Sequence, residues 1–313
     1  MENISTTYTN FILVGLVEME SFRFLYALLT FAVYSASFVV SFMIVYVTWT
    51  EESLHEPMYI FICGLVLNVM FGSSAYLPKL LIDLLYKNAT ISLSGCLFQA
   101  FCMQSYAAAE VFTFTAIAYD RYLAVGHPLR YPTLMTNLTC QRLLLAIWVF
   151  VFIGICGVVF LTARLTFCAV NINNVYCDTM SLLRLSCGDI TVNNIYGITW
   201  TLFITISPML VIIYCYIRTI VICFKLPGEA SQKAAQTLVT HVIALFIFLV
   251  GAMFIAFRYR LSSISLSVTA HVVISMSGMS TSITVNPLIY GLRTKALRIR
   301  IARNLQNIFG NSK

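Results

Sequence analysis

Long stretches without a charged side chain decide what this chain of 313 residues can fold into. Seven stretches each have at least the 17 to 20 or so residues that a helix needs to cross about 30 Å of hydrocarbon. They cover 24–50, 57–78, 88–109, 143–161, 190–217, 234–257 and 261–292. With 60% hydrophobic and 10% charged residues, the composition is not that of a soluble domain. Because the runs are continuous rather than alternating, they predict an all-α membrane protein with seven spans, not a β-barrel.

Basic residues in the loops indicate how these spans are oriented. With the amino terminus outside, 12 of the 19 Lys and Arg residues lie on the cytoplasmic side, as expected for a membrane protein. The chain then divides into an extracellular tail (1–23), one helical membrane domain (24–292) and a cytoplasmic tail (293–313). Within that tail Leu297, Ile301, Leu305 and Ile308 recur at helical spacing, which predicts a short amphipathic helix lying against membrane lipid.

The predicted outer side carries glycosylation sequons and four cysteines. Asn3 and Asn88 each begin an Asn-X-Ser/Thr sequence, so both are candidate glycosylation sites. Disulfides form in this compartment, and four of the ten cysteines lie there: Cys96, Cys168, Cys177 and Cys187. Spacing leaves all three possible pairings open.

A charged pair, Asp120 and Arg121, lies where the third span ends, after a further uncharged stretch at 111–119. A full charge in the hydrocarbon core costs roughly 2.5 to 3.5 kcal/mol on insertion scales, so such a pair is expected to be functional or to lie at an interface. With the amino terminus outside, this pair lies at the cytoplasmic membrane edge.

Four motifs in order along the chain carry a family resemblance. LHEPMY at 54–59 follows span one, AYDRYLA at 118–124 ends span three, HPLRY at 127–131 continues it, and NPLIY at 286–290 ends span seven. The chain resembles the vertebrate odorant receptors, a branch of the rhodopsin-like (class A) G-protein-coupled receptors. The HEP and HPLRY forms resemble its class I, fish-like branch. The resemblance implies a seven-transmembrane bundle with a short eighth helix.

The resemblance also implies a mechanism and the residues that carry it. An odorant binds between the helices, span six swings outward, and the cytoplasmic face activates a heterotrimeric stimulatory, olfactory-type G protein, which raises cyclic AMP. Cys96 is expected to pair with Cys177, and Cys168 with Cys187. Arg121 would leave Asp120 in the active state and meet inward-turned tyrosines, while Pro287 lets span seven rearrange. The coupling residues are thus Asp120, Arg121, Tyr122, Tyr216, Asn286, Pro287 and Tyr290.

For the ligand, the resemblance nominates mostly apolar positions near the outer third of the bundle. They are Met103, Gln104, Ala107, Trp200, Ile204, Ala252, Ala256, Arg260, Met276 and Met279. Ala252, Ala256 and Arg260 step by four residues and share one helix face. Arg260 at the outer end of span six would anchor a carboxylic acid by bidentate hydrogen bonds. Arg258 is the competing anchor, and an Arg bonded to loop carbonyls or lipid phosphates is the alternative.

Span three carries an acid, Glu110, that in the family is one of a pair able to hold a sodium ion. The usual second acid, in span two, is replaced near Asn68 and Val69. Glu110 is therefore an incomplete sodium ligand, and we expect it either to be protonated or to bond neighbouring hydroxyls such as Thr113 or Ser73. No metal or other cofactor is expected.

Other functions fit the sequence less well. An enzyme would need a catalytic constellation, but the four histidines lie apart, without metal-ligand spacing. A transporter would be expected to show internal repeats and several intramembrane ionisable groups. A non-olfactory class A receptor for small molecules is the runner-up. The expected location is the plasma membrane, with the ciliary membrane of olfactory neurons as the specific site, and no nucleic-acid partner is expected.

Overall fold

The computed structural model describes residues 8–225, 238–253 and 268–310. The elements before the third span are β1 (Asn10–Leu13), α1 (Val14–Glu18), α2 (Arg23–Thr50), α3 (Pro57–Tyr86) and β2 (Thr90–Ser92). Then follow α4 (Leu93–Gly126), α5 (Tyr131–Leu134), α6 (Asn137–Ala163), β3 (Asn171–Ile172), α7 (Thr179–Leu185) and α8 (Thr191–Cys223). The last three are α9 (Leu238–Met253, as far as it is described), α10 (Val268–Arg293) and α11 (Lys295–Gly310). Short 3-10 turns precede α2 and α3.

The seven predicted spans correspond to α2, α3, α4, α6, α8, α9 and α10, which confirms the all-α bundle. Four described helices are apolar enough over their length to cross a membrane: Glu20–Thr50, Pro57–Tyr86, Asn137–Ala163 and Thr191–Cys223. Several helices extend beyond the charge-free stretches, most of all α4. The third span extends over 34 residues to Gly126 and includes Glu110, Asp120 and Arg121. Since α4 packs against α3, α6 and α8, protein rather than lipid surrounds these charges.

Local sequence signals explain where several helices begin and end. Ser92 Oγ accepts from the N–H of Gly95 at the start of α4, and Thr136 Oγ1 accepts from the N–H of Thr139 at the start of α6. Pro57 occupies the first turn of α3, where a missing N–H costs nothing. The same helix ends at Lys87, which adopts the left-handed conformation at φ 56°.

The hydrophobic core has two large clusters, one at each end of the bundle. Named after the predicted orientation, the outer cluster includes Phe11, Tyr76 and Phe167, and the cytoplasmic cluster includes Phe61, Phe114 and Tyr290. A smaller cluster around Val151 joins α4, α6 and α8. Three buried polar side chains, Asn68, Glu110 and Asn286, lie at the level between the two large clusters.

The outer face carries a small β-sheet that the sequence did not predict. Strand β1 pairs antiparallel with β2 and parallel with β3, so the amino-terminal segment joins the loops after the second and fourth spans. Phe11 and Leu13 point into the outer cluster, whereas Asn10 and Ile12 are exposed. We call these three strands the outer sheet.

Candidate functional site

Glu110 connects three helices through two amide side chains. Its Oε2 accepts from Asn68 Nδ2 on α3 at 2.5 Å, and its Oε1 accepts from Asn286 Nδ2 on α10 at 2.5 Å. Asn68 Nδ2 also donates to the carbonyl oxygen of Tyr106 on α4 at 3.0 Å. All three side chains are fully buried or nearly so. We call Asn68, Glu110 and Asn286 the amide bridge.

The hydroxyl partners expected for Glu110 were wrong. Thr113 Oγ1 donates to the carbonyl oxygen of Ala109, and Ser73 Oγ donates to that of Met70. The amide bridge suits a sodium ion poorly, because N–H donors occupy both carboxylate oxygens and the second acid is missing. Across the described residues, no group of three or more His, Cys, Asp or Glu residues could hold a metal ion.

At the cytoplasmic end of α4, Asp120 holds Arg121 in a closed arrangement. Arg121 donates to Asp120 Oδ2 from Nε at 2.8 Å and also from a terminal nitrogen. Tyr131 Oη, in the loop after the third span, donates to the other oxygen, Oδ1, at 2.8 Å. Burial raises the pKa of the Tyr131 phenol, and nearby Asp120 raises it further, so this hydroxyl remains a donor at neutral pH. The sequence did not assign this role to Tyr131.

The tyrosines expected to act in the switch lie at the same end of the bundle. Tyr290 is fully buried, with Oη 3.3 Å from His241 Nδ1 on α9. Tyr216 on α8 is also buried, and its Oη has no hydrogen-bond partner among the described residues. Tyr122 Oη lies 3.3 Å from His127 Nε2. None of these three hydroxyls is bonded to Arg121, which is held by Asp120 instead.

Leu129 is an exposed residue for which the sequence predicted no role. Its side chain is 95% exposed in the loop between α4 and α5. An isolated exposed leucine is common, but this one belongs to the HPLRY motif, two residues before Tyr131, which donates to Asp120.

Both disulfides implied by the resemblance are present. Cys96 at the start of α4 pairs with Cys177, with Cα atoms 5.1 Å apart, and Cys168 pairs with Cys187, with Cα atoms 5.6 Å apart. Cys177 N–H also donates to Gln99 Oε1 at 2.8 Å. The loop before α8 is therefore fixed over the outer end of α4.

Beneath this loop lies a largely apolar cavity of about 540 Å³. Helices α4, α6 and α8 form its walls, α7 contributes Thr179, Met180 and Leu183, and α9 contributes Ala252. Gln104 Nε2 donates to Thr179 Oγ1 at 2.5 Å, which connects α4 to α7. Asp178 caps α7 by accepting from the N–H of Ser181 at 2.7 Å.

Most of the nominated ligand positions that can be described line this cavity. Met103, Gln104, Ala107, Trp200, Ile204 and Ala252 are all lining residues. Met276 on α10 instead packs against the outer cluster, away from the cavity lining. Met279 belongs to α10, and Ala256 and Arg260 lie outside the described residues.

The Asn88 sequon lies on an exposed turn between α3 and β2. Asn88 Oδ1 accepts from the N–H of Thr90 at 3.0 Å and from its hydroxyl at 2.8 Å. The first sequon, at Asn3, lies outside the described residues.

Comparison of the sequence with known proteins shows the family of the chain. The sequence model of the olfactory receptor family matches residues 30–308. Olfactory receptor 5AP2 of Mus musculus is 33% identical over 305 residues, covering 97% of this chain and 95% of that protein. Olfactory receptors 6N1 and 51E1 of Homo sapiens are 31% and 33% identical, covering 95% and 96% of this chain and 95% and 93% of their own lengths. The chain belongs to the olfactory receptor family.

Proposed function

We propose that this membrane protein is an odorant receptor whose ligand binds in the cavity beneath α7. The supporting observation is the cavity itself: about 540 Å³, walled mainly by apolar side chains and crossed by the Gln104–Thr179 hydrogen bond. Small-molecule sites typically have a volume of about 300 to 1,000 Å³ and a few polar groups in apolar walls. A small, partly hydrophobic odorant fits this description.

Signalling follows from a second conformation of the cytoplasmic end. Asp120 holds Arg121 in the present arrangement, and ligand binding favours one in which span six moves outward and Arg121 is released. Tyr216 and Tyr290 then turn toward Arg121, and Pro287 lets α10 rearrange because it lacks one backbone hydrogen bond. The exposed surface, including Tyr122, activates a stimulatory, olfactory-type G protein and raises cyclic AMP. The receptor catalyses no covalent chemistry itself.

The remaining proposals concern location and modification. We infer that the amino terminus is extracellular, that Asn3 and Asn88 are glycosylated, and that the receptor functions in the ciliary membrane of olfactory neurons. The exposed Asn88 side chain supports modification there. The basic helix α11 would lie on membrane lipid, and the HEP and HPLRY motifs support the class I branch.

The cavity assignment is tested by filling the cavity. Ile204→Trp places an indole in the space, whereas Ile206→Trp makes the same change at a lipid-facing position of α8 that is 52% exposed. Cyclic AMP is measured against a panel of small acids, esters, alcohols and amines, with surface expression checked. Ile204→Trp should raise the half-maximal concentration of every agonist at least about tenfold, as overpacking predicts. Equal effects of the two variants would contradict the proposed site.

An acidic ligand is a narrower proposal, resting on Arg260. Ala252 lines the cavity, and Arg260 follows it by eight residues in the sequence. Arg260→Ala should abolish responses to carboxylic acids and preserve those to the corresponding methyl esters. Arg258→Ala removes the competing anchor and should leave both kinds of response unchanged. Acid responses that survive in Arg260→Ala would exclude this anchor.

A further inference from the structure

Two glycines of α6 make a notch that receives two aromatic side chains of α8. A Cβ atom added at Gly154 would lie 2.0 Å from Cη2 and 2.1 Å from Cζ2 of Trp200. A Cβ atom added at Gly157 would lie 2.4 Å from Oη of Tyr196. Tyr196 Oη also donates to the carbonyl oxygen of Gly154 at 3.1 Å. Any larger residue at either position would displace a ring.

The two rings differ in what lies on their other side. Trp200 lines the ligand cavity, whereas Tyr196 does not. Phe150 and Phe203 flank the indole, with ring centroids 5.4 Å and 6.2 Å away. The two phenyl rings and the notch therefore confine the indole on its other sides, so a displaced indole has room only in the cavity.

We propose that Gly154 is a specificity-determining residue. Because it has no side chain, the Trp200 indole can lie in the notch of α6, and this sets the length of the largest ligand that the cavity accepts. This inference rests on the proposed odorant function of the cavity. Non-bonded carbon atoms prefer a separation of about 3.5 to 4.0 Å, so a methyl group at Gly154 must move the indole by roughly 1.5 Å or more. If the indole moves into the cavity, it shortens the space available to long ligands, whereas short ligands still fit.

The test measures how agonist potency depends on chain length. Wild type and Gly154→Ala are assayed for cyclic AMP with straight-chain alcohols and aldehydes of increasing length. We expect Gly154→Ala to raise the half-maximal concentration of the longest agonists by about tenfold or more, with the shortest little changed. Adding Trp200→Phe to Gly154→Ala should restore the potency of the long agonists, because a phenyl ring is smaller than an indole ring. Gly157→Ala is the matched control, since it overpacks the same notch against a ring that does not line the cavity.

A second measurement does not depend on any odorant. In purified receptor carrying Trp49→Phe and Trp148→Phe, Trp200 is the only one of the 3 tryptophans left, and its fluorescence is quenched by straight-chain bromoalcohols of increasing length. The longest effective quencher should be shorter in Gly154→Ala than in the parent. If potency and quenching in Gly154→Ala keep the wild-type length limit, the inference is overturned. A shifted quenching limit in a receptor silent to every odorant would instead count against the odorant function and leave the role of Gly154 standing.

Discussion

At the scale of single residues, the most constrained side chain is Glu110. A carboxylate removed from water is stable only when hydrogen bonds or charges replace the lost hydration. Here Asn68 and Asn286 each donate one N–H, while the Oδ1 atoms of both amides lack a partner among the described residues. The amide bridge therefore joins α3, α4 and α10 through hydrogen bonds rather than through an ion pair.

Two substitutions of Glu110 should show whether the stability of the receptor depends on the hydrogen bonds of the amide bridge or on the carboxyl group itself. Glu110→Ala leaves two buried amides without their acceptor, which costs about 1 to 3 kcal/mol for each unsatisfied group. Glu110→Gln should cost much less, because rotation of one asparagine amide presents its Oδ1 atom to the new N–H. Thermal unfolding of purified receptor measures both variants. A glutamine variant as unstable as the alanine variant would show that the bridge needs the carboxyl group itself.

Leu129 supports a second prediction at this scale. An apolar side chain that is 95% exposed gains most when a partner covers it, and burying a leucine is worth about 1.5 to 3 kcal/mol. We expect Leu129→Ala to weaken G-protein activation about tenfold or more at unchanged surface expression. Receptor-stimulated nucleotide exchange measures this effect. Leu134→Ala, at a 47% exposed leucine that ends the neighbouring helix α5, is the control, and equal activity of the two variants would refute a role of Leu129 in G-protein contact.

At the scale of elements, α11 is joined to the bundle by both an apolar and an ionic contact. Leu297 is fully buried, and Ile301 packs against the cytoplasmic cluster. Arg300 forms an ion pair with Glu51 in the first cytoplasmic loop at 3.1 Å. The ion pair gives a structural role to Glu51, an acidic residue in a loop where the predicted orientation leads us to expect Lys and Arg.

The two contacts should contribute very differently to stability. A partly exposed ion pair is worth about 0.2 to 1 kcal/mol, whereas truncating a fully buried leucine costs roughly 2 to 5 kcal/mol. Leu297→Ala should therefore lower the melting temperature clearly more than Glu51→Ala. Ile299→Ala on the same helix, at a 46% exposed position, should have little effect. A larger effect of Glu51→Ala would mean that the ionic contact dominates.

The helices and the Asp120–Arg121 contact could be predicted from the sequence, but the side-chain contacts between helices could not. Continuous apolar runs show where spans lie, whereas their ends depend on whether a charge such as Asp120 faces lipid or protein. The Asp120–Arg121 contact joins adjacent residues and is visible in the sequence. The Asn68–Glu110 and Gly154–Trp200 contacts depend on how two helices are rotated about their axes, which periodicity alone does not determine.

At the scale of the whole molecule, the outer sheet joins segments that are far apart in the chain. Ile12 N–H donates to the carbonyl oxygen of Val170 at 2.8 Å, and Leu13 N–H donates to that of Ala89 at 2.7 Å. The Cys96–Cys177 disulfide then attaches the same region to α4. Strands of two to four residues carry too short a pattern for prediction, because their stability comes from distant partners.

The outer sheet should therefore matter to the stability of the whole receptor. The Phe11 ring meets the Phe167 ring edge to face, with centroids 5.3 Å apart, and Phe11 is fully buried while the next residue, Ile12, is 38% exposed. Phe11→Ala removes a buried ring at a cost of about 3 to 5 kcal/mol, whereas Ile12→Ala should cost much less. Thermal unfolding and surface expression measure both, so the melting temperature should fall mainly for Phe11→Ala. Similar melting temperatures for the two variants would mean that the amino-terminal strand contributes little to the stability of the bundle. A fall confined to Phe11→Ala would make the strand part of the outer hydrophobic core.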